Sequence, residues 1–367
     1  MSINFSNLSK NINFINFSKI SRGNNKELKY IVKDSEMNRY LFKINSIIHL
    51  DNKVNEFRFA KRIEHLPFEK SEIVDLCVFN QNRYICSIYK WIDGKILEDQ
   101  IKNYPSNKQY SFGFKAGRSL KLIHDLPIRD EELKQAEELP VRKIIEYYHQ
   151  NKRFENDNII IDFILKNNSK IKDEKICFLH GHYSIKNFII KNNDEISLID
   201  YNQCYFGDYV QDFSKNEIYN SYYSEQFAQG IIDGYFYNRK IPDTFWLKYA
   251  YYAAYNCITL FLWASKQEVI STKIKIKEMI QNVLNQFNNF ESIIPNWYKK
   301  NVLSKERQKF INSPYTLEKI LGTPKKENKN DSKIKYFDEM YDDNDDDLLD
   351  EKMMDSFKEF LKNVAKK

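Results

Sequence analysis

Apolar and polar residues form short strand-like runs over the first ninety positions. From about residue 111 the apolar ones recur at the three-to-four spacing of helices. The early runs Ile12 to Ile20, Tyr30 to Lys33 and Arg39 to Ile44 have the length and the β-branched or aromatic content of strands. Ile73 to Phe79 and Arg83 to Tyr89 add two more, joined by the polar turn Asn80-Gln81-Asn82. Between these groups, Val54, Phe57, Ala60 and Ile63 share one side of a predicted helix over Lys53 to Ile63, which also carries Glu56. A polar turn containing Gly23 separates the first two strands, and Asp93-Gly94 signals another turn after the last.

Further on, Phe112, Ala116, Leu120 and Ile123 make an apolar stripe that Pro127 terminates. The charged stretch Arg129 to Glu138 reads as a surface loop, and His124 as a residue packed at the helix end. Two short strands, Lys175 to Leu179 and Phe188 to Ile190, flank the loop HGHYSIKN. A third, Ile196 to Ile199, ends at Asp200, and Gly207-Asp208 reads as a turn. Phe245 to Ser265 is largely apolar, yet Lys248 and Asn256 break it below the roughly 18 to 20 uncharged residues of a membrane span. It predicts a buried helix. Past Lys299 the character changes. Pro324 opens a polar linker, nine of the fourteen residues from Asp338 to Glu351 are acidic, and Leu349, Met353, Phe357, Phe360 and Val364 then fall at helical spacing. That terminal helix would dock on this chain or on a protein partner. Three units are expected: residues 1–90, 91–300 and 301–367.

Composition narrows the classes. With 26 Phe, 25 Tyr and 4 Trp in 367 residues, the chain can bury a full core and is not disordered throughout. Its net charge of +6 is spread out, with no basic cluster, which argues against a nucleic-acid partner. The five cysteines include no CxxC pair, so neither a zinc ribbon nor a disulfide framework is indicated, and a reducing compartment fits. The polar, Asn-rich N-terminus lacks the apolar core of a secretion signal. A soluble, cytoplasmic protein is expected.

The chemistry concentrates between Cys177 and Phe213. The HGHYSIKN loop contains Asn187, and the next strand delivers Asp200 thirteen residues later. An amide oxygen and a carboxylate brought together at one sheet end suit Mg²⁺, which takes its other ligands from water and phosphate. Upstream, Lys43 on a strand and Glu56 on a helix are placed to form an ion pair that positions the lysine over phosphates, with the turn at Gly23 close by. Lysine, glutamate, a loop asparagine and a metal-binding aspartate are the working parts of kinase phosphoryl transfer.

In this order and spacing, RYLFKI, EFRFAKRI, YKWIDGKIL, AGRSLKLIHDLPI, HGHYSIKN and LIDYNQCYFGD resemble the aminoglycoside phosphotransferase family of protein-kinase-like small-molecule kinases, over residues 10 to 298. The resemblance implies a bilobal α+β fold, with a small antiparallel-sheet N-lobe and a larger, mostly helical C-lobe. It implies ATP and Mg²⁺ as cofactors and a small-molecule hydroxyl, on an aminoglycoside or another amino sugar, as acceptor. Lys43 would hold phosphates, Glu56 would orient Lys43, and Asn187 with Asp200 would bind Mg²⁺. Tyr89, Lys90, Trp91 and Ile92 would be the hinge that contacts adenine. His180 would support the loop and Asp212 would brace it. For a cationic acceptor, Asp208, Glu217, Glu225 and Asp233 are the candidate carboxylates. One departure stands out: the family's loop reads HGD, and here the aspartate position is His182. Two readings follow, a kinase in which imidazole replaces the carboxylate, and a nucleotide-binding protein with little or no transfer.

Overall fold

Alternating apolar residues in the N-terminal quarter close into one antiparallel sheet. The structure is a computed structural model and describes residues 14–20, 27–136, 139–151, 153–171, 175–237 and 239–299, with side chains from residue 16. Gly23, the acidic segment and the terminal helix expected from the sequence lie outside these residues. Strands β1 (Phe14–Ile20), β2 (Leu28–Asp34) and β3 (Arg39–Ser46) precede helix α1 (Leu50–Arg62), and β4 (Ile73–Phe79) and β5 (Tyr84–Lys90) follow it. The sheet order is β1-β2-β3-β5-β4. Leu28, Tyr30 and Val32 alternate inward from β2 and pack with Phe42, Ile44, Cys77, Phe79 and Cys86. Asn80, Gln81 and Asn82 all take positive φ, a left-handed turn that short polar side chains tolerate.

The larger half is helical. It contains α2 (Leu97–Gln100), α3 (Ser106–His124), α4 (Asp130–Leu133), α5 (Val141–His149), α6 (Asp157–Asn167), α7 (Ser221–Tyr223), α8 (Glu225–Tyr235), α9 (Asp243–Ser265), α10 (Ile270–Gln286) and α11 (Asn296–Lys299). Short strands β6 (Lys95–Ile96), β7 (Ile176–Leu179), β8 (Phe188–Ile190), β9 (Ile196–Leu198) and β10 (Tyr205–Asp208) carry the loops of the site. β8 pairs with β6 and β9, and β7 pairs with β10. The fold is α+β, as expected.

Two local expectations need correction. Gly207-Asp208 is strand, not turn, with Gly207 opposite Cys177 and Asp208 opposite Ile176. The stretch after Arg129 is not simply a surface loop. It contains α4, whose buried Glu132 carboxylate accepts from Arg62 Nη1 at 2.8 Å and from the Arg129 backbone N–H at 2.9 Å. Both misreadings come from ignoring a distant partner, β7 in one case and α1 in the other. Helix α9 is buried along most of its length, and its Lys248 pairs with buried Asp208 at 2.7 Å. No helix among the described residues is long and apolar enough to cross a membrane.

Helices α3 and α8 meet through glycines. Gly113 and Gly117 on α3 face α8, while Gly230 and Gly234 on α8 face α3. A Cβ at Gly117 would stand 2.1 Å from the Ile231 carbonyl oxygen. This contact sets where His124, at the end of α3, meets Tyr235, at the end of α8. Gly117→Ala must push the helices apart, and overpacking of this kind costs about 1–3 kcal/mol. Urea denaturation should show a lower midpoint with an unchanged slope.

Candidate active site

A single file of alternating charges runs through the N-terminal sheet and into the helical half. Asp200 Oδ1 accepts from Lys43 Nζ at 2.8 Å, and Lys43 Nζ reaches Glu56 Oε1 at 3.2 Å. Glu56 Oε2 accepts from Lys53 at 2.8 Å, Lys53 bonds Glu27 at 2.5 Å, and Lys29 stands 3.3 Å from Glu27. Strand register contributes, because Lys43 lies directly across from Lys29. Burial alone would strip the proton from Lys43, but Asp200 and Glu56 outweigh it and hold its pKa well above the ordinary value. Burial likewise opposes ionisation of Asp200 and Glu56. Lys43 outweighs it for both, with help from Lys53 at Glu56, so both carboxyls titrate below their usual range.

The expected hinge divides. Tyr89 turns its hydroxyl inward to Glu56 Oε1 at 2.6 Å and sets its ring 5.3 Å from Lys43 Nζ. The Lys90 N–H donates to Glu72 O and the Trp91 N–H to Arg39 O, both at 2.9 Å. Neither amide is therefore free to meet a base in this arrangement. Ile92 is the next residue along.

The HGHYSIKN loop is fastened from below. Asp212 accepts from the backbone N–H groups of His180 at 2.8 Å and Gly181 at 2.7 Å. His124 Nε2 lies 3.0 Å from Asp212, and its Nδ1 lies 3.2 Å from the Tyr235 hydroxyl. His180 Nδ1 accepts from the His182 N–H at 3.3 Å, which puts its proton on Nε2, 3.2 Å from the Ile199 carbonyl. Burial lowers the pKa of both His124 and His180, favouring the neutral rings that these bonds require. Gly181 has φ +78, and a Cβ there would stand 1.8 Å from the Gln203 carbonyl oxygen. Further along, Asn220 Oδ1 accepts from the Ile185 N–H at 2.6 Å. Asn187 donates through Nδ2 to the His182 carbonyl at 2.9 Å, and its own carbonyl accepts from the Ile199 N–H, beside Asp200.

His182 itself is half-buried, with Nε2 shielded from solvent and without a hydrogen-bond partner. Burial, reinforced by the nearby Lys215 charge, pushes its pKa down to about 3. Its ring lies 5.8 Å from that of Tyr219, over which Lys186 Nζ sits at 4.4 Å.

The profile described as "Phosphotransferase enzyme family" matches residues 17–245. The chain belongs to this family. No curated protein matches the sequence. Among solved structures, spectinomycin phosphotransferase APH(9)-Ia with ADP and spectinomycin is similar at 14% identity and TM-score 0.59, over 74% of this chain and 93% of that one. The streptomycin–ATP ternary complex of APH(2″)-IIa is similar at 19% identity and TM-score 0.53, over 75% and 94%. The GDP complex of wild-type aminoglycoside 2′-phosphotransferase-IIIa is similar at 12% identity and TM-score 0.57, over 75% and 94%. At such identities these likenesses show the fold.

Within this family framework, the structure brings Lys43, Glu56, Asp200 and Tyr89 into direct contact and ties Asn187 to His182. Sequence reasoning missed Lys53 and Glu27, whose only signal was charge on strand and helix faces expected to be apolar or solvated. It also missed Asn220 and Lys215, which a helical pattern does not distinguish from surface residues. Three of the four carboxylates offered for a cationic acceptor are buried and committed elsewhere. Asp208 pairs with Lys248, Asp233 accepts from Tyr110 and Tyr298, and Glu217 accepts from Trp297 and Tyr249. Glu225 is exposed and accepts from Gln286.

Glu56→Gln leaves two buried ammonium groups facing a neutral amide. Breaking a buried pair in this way costs about 3–5 kcal/mol, whereas Lys29→Met at the outer end should cost about 1 kcal/mol or less. Chemical denaturation of the two variants measures the contrast. Glu217 supplies a pH test. Burial outweighs its hydrogen-bond donors and raises its pKa to about 7 from an ordinary 4.5, so between those values the native chain holds a proton that the unfolded chain has lost. This contribution is complete below pH 4.5 and disappears as pH rises through 7. Denaturation midpoints at pH 5 and pH 8 should differ less in Glu217→Gln than in the natural protein.

Proposed function

We propose that this chain transfers the γ-phosphoryl group of Mg·ATP to a hydroxyl of a small molecule, with His182 orienting that hydroxyl. The carrying observation is the unpartnered, shielded Nε2 of His182, on a loop braced by Asp212 and beside Asp200. Lys43 would hold the nucleotide's phosphates, steadied by Glu56, and Ile92 is the hinge residue whose amide would meet adenine. Asp200 keeps Oδ2 for a cation while Oδ1 bonds Lys43, and Asn187 keeps its side-chain oxygen because Nδ2 is spent on His182. One carboxylate and one amide make a sparse, hard-oxygen donor set that suits Mg²⁺. When bound, Mg²⁺ supplies neutralisation of the phosphate charge.

In the transfer, the acceptor oxygen bonds the γ-phosphorus as the bond to the β,γ-bridging oxygen breaks, releasing ADP. A ring with a pKa near 3 is a poor proton acceptor at neutral pH. His182 therefore accepts a hydrogen bond and aligns the hydroxyl. The proton leaves with the transferred phosphoryl group and then passes to water. Phosphoryl transfer tolerates this, because positioning and charge stabilisation carry most of the rate. The low basicity of His182 also supports the second reading, a nucleotide-binding protein with negligible transfer.

Transfer of labelled γ-phosphate to a panel of hydroxyl compounds, measured on the natural protein, His182→Asp and Lys43→Ala, tests both readings. The natural protein should transfer slowly, with no imidazole limb near pH 6.5. His182→Asp should be faster by about a hundredfold, and Lys43→Ala inactive. Nucleotide binding with transfer by His182→Asp alone would select the second reading. An absence of nucleotide binding would end both.

A further inference from the structure

From His182 outward, the side chains at the acceptor end of the loop form a contact series whose charge is mainly positive. The Tyr219 ring touches His182 and carries Lys186 above it at 4.4 Å. Lys186 Nζ stands 4.0 Å from Glu98 on α2, and Lys275 Nζ on α10 stands 3.9 Å from the same carboxylate. Lys275 also lies 4.9 Å from the centre of the Tyr223 ring. Two lysines from different elements thus share one acid, each at the limit of ion pairing.

On the inner side, Lys215 is close enough to His182 for its charge to help depress the imidazole pKa. Its Nζ bonds a neutral partner, Asn256 Oδ1, at 2.8 Å, and no carboxylate among the described residues forms an ion pair with it. Burial lowers its pKa to about 8, against the opposing pull of the Asp212 carboxylate. The carboxylate does not offset the burial in full, and a ligand carrying negative charge would relieve the rest.

Resting on the kinase reading, we propose that the acceptor is an anionic hydroxyl compound, its phosphate or carboxylate held by Lys215, Lys186 and Lys275 while its hydroxyl meets His182. The replacement of a loop carboxylate by neutral His182 fits this choice, since an aspartate there would repel the same ligand. Tyr219 and Tyr223 would flank the carbon skeleton. A polycation is a poor match here, because Glu98 already faces two ammonium groups.

The test is calorimetric titration of the full chain, with and without saturating Mg·ADP. The probes are glycerol 3-phosphate, ribose 5-phosphate and gluconate, compared with neutral glucose and polycationic kanamycin. At least one anionic probe should bind tenfold or more tightly than glucose and kanamycin, with an affinity that falls as salt rises. Lys275→Glu should weaken that binding about tenfold. Lys277→Glu, an equal charge change at an exposed site on the same helix, should leave it unaltered. Preference for glucose or kanamycin, absence of anion binding, or equal effects of the two variants would overturn the proposal. The two arms separate the ideas. A chain that binds Mg·ADP but no anionic probe loses the lysine site alone, while one that binds anions but not Mg·ADP loses the kinase reading.

Discussion

Burying a charge is affordable to a protein only when an opposite charge meets it, and the file from Lys29 through Glu27, Lys53, Glu56 and Lys43 to Asp200 satisfies that condition five times over. Each interior member has a neighbour of opposite sign on both sides. Glu56 can therefore lie fully buried on the inner face of α1, where an unpaired glutamate would neutralise itself or unfold the helix. The geometry of the sheet follows from the same requirement. β2 and β3 must stay in register to keep Lys29 beside Lys43, and α1 must present Lys53 and Glu56, three residues apart, on one face.

The helical half meets the same requirement with hydrogen bonds as well as the buried Lys248–Asp208 ion pair. Asp212 satisfies two backbone amides and an imidazole, and the short turn from Asn216 to Asn220 widens to π-helical spacing. All five residues of that turn are buried, and from it Asn220 reaches the Ile185 amide. The glycine-lined crossing of α3 and α8 sets how far His124 stands from Tyr235. Packing in the core and placement of the loop are in this way one problem.

Much of this was legible in the sequence. Strand alternation predicted the sheet, and the pattern of elements singled out Lys43, Glu56, Asn187 and Asp200, of which the structure brings Lys43, Glu56 and Asp200 into contact. What escaped depended on partners far away in the chain. Gly207-Asp208 becomes strand only because β7 lies alongside. Lys53 and Glu27 look like solvated charges until Lys53 is seen between Glu27 and Glu56. Lys215 looks like a surface lysine until α9 covers it. The inward turn of the Tyr89 hydroxyl and the occupied amides of Lys90 and Trp91 are likewise tertiary facts with no local signature.

The fastening of the HGHYSIKN loop bears on motion. Its first residues hang from Asp212 and its middle from Asn220, both belonging to the helical half, so the loop travels with that half as a rigid body. Relative movement of the sheet and the helices must then be absorbed where few bonds cross. The Lys43–Asp200 contact is one such place, and the connection after β5 is another. Lys43 on β3 is thereby one tether between the halves, alongside the Arg62–Glu132 bond and the backbone bonds that Ser71 and Glu69 make to Leu198, and a group that breathing between them would displace.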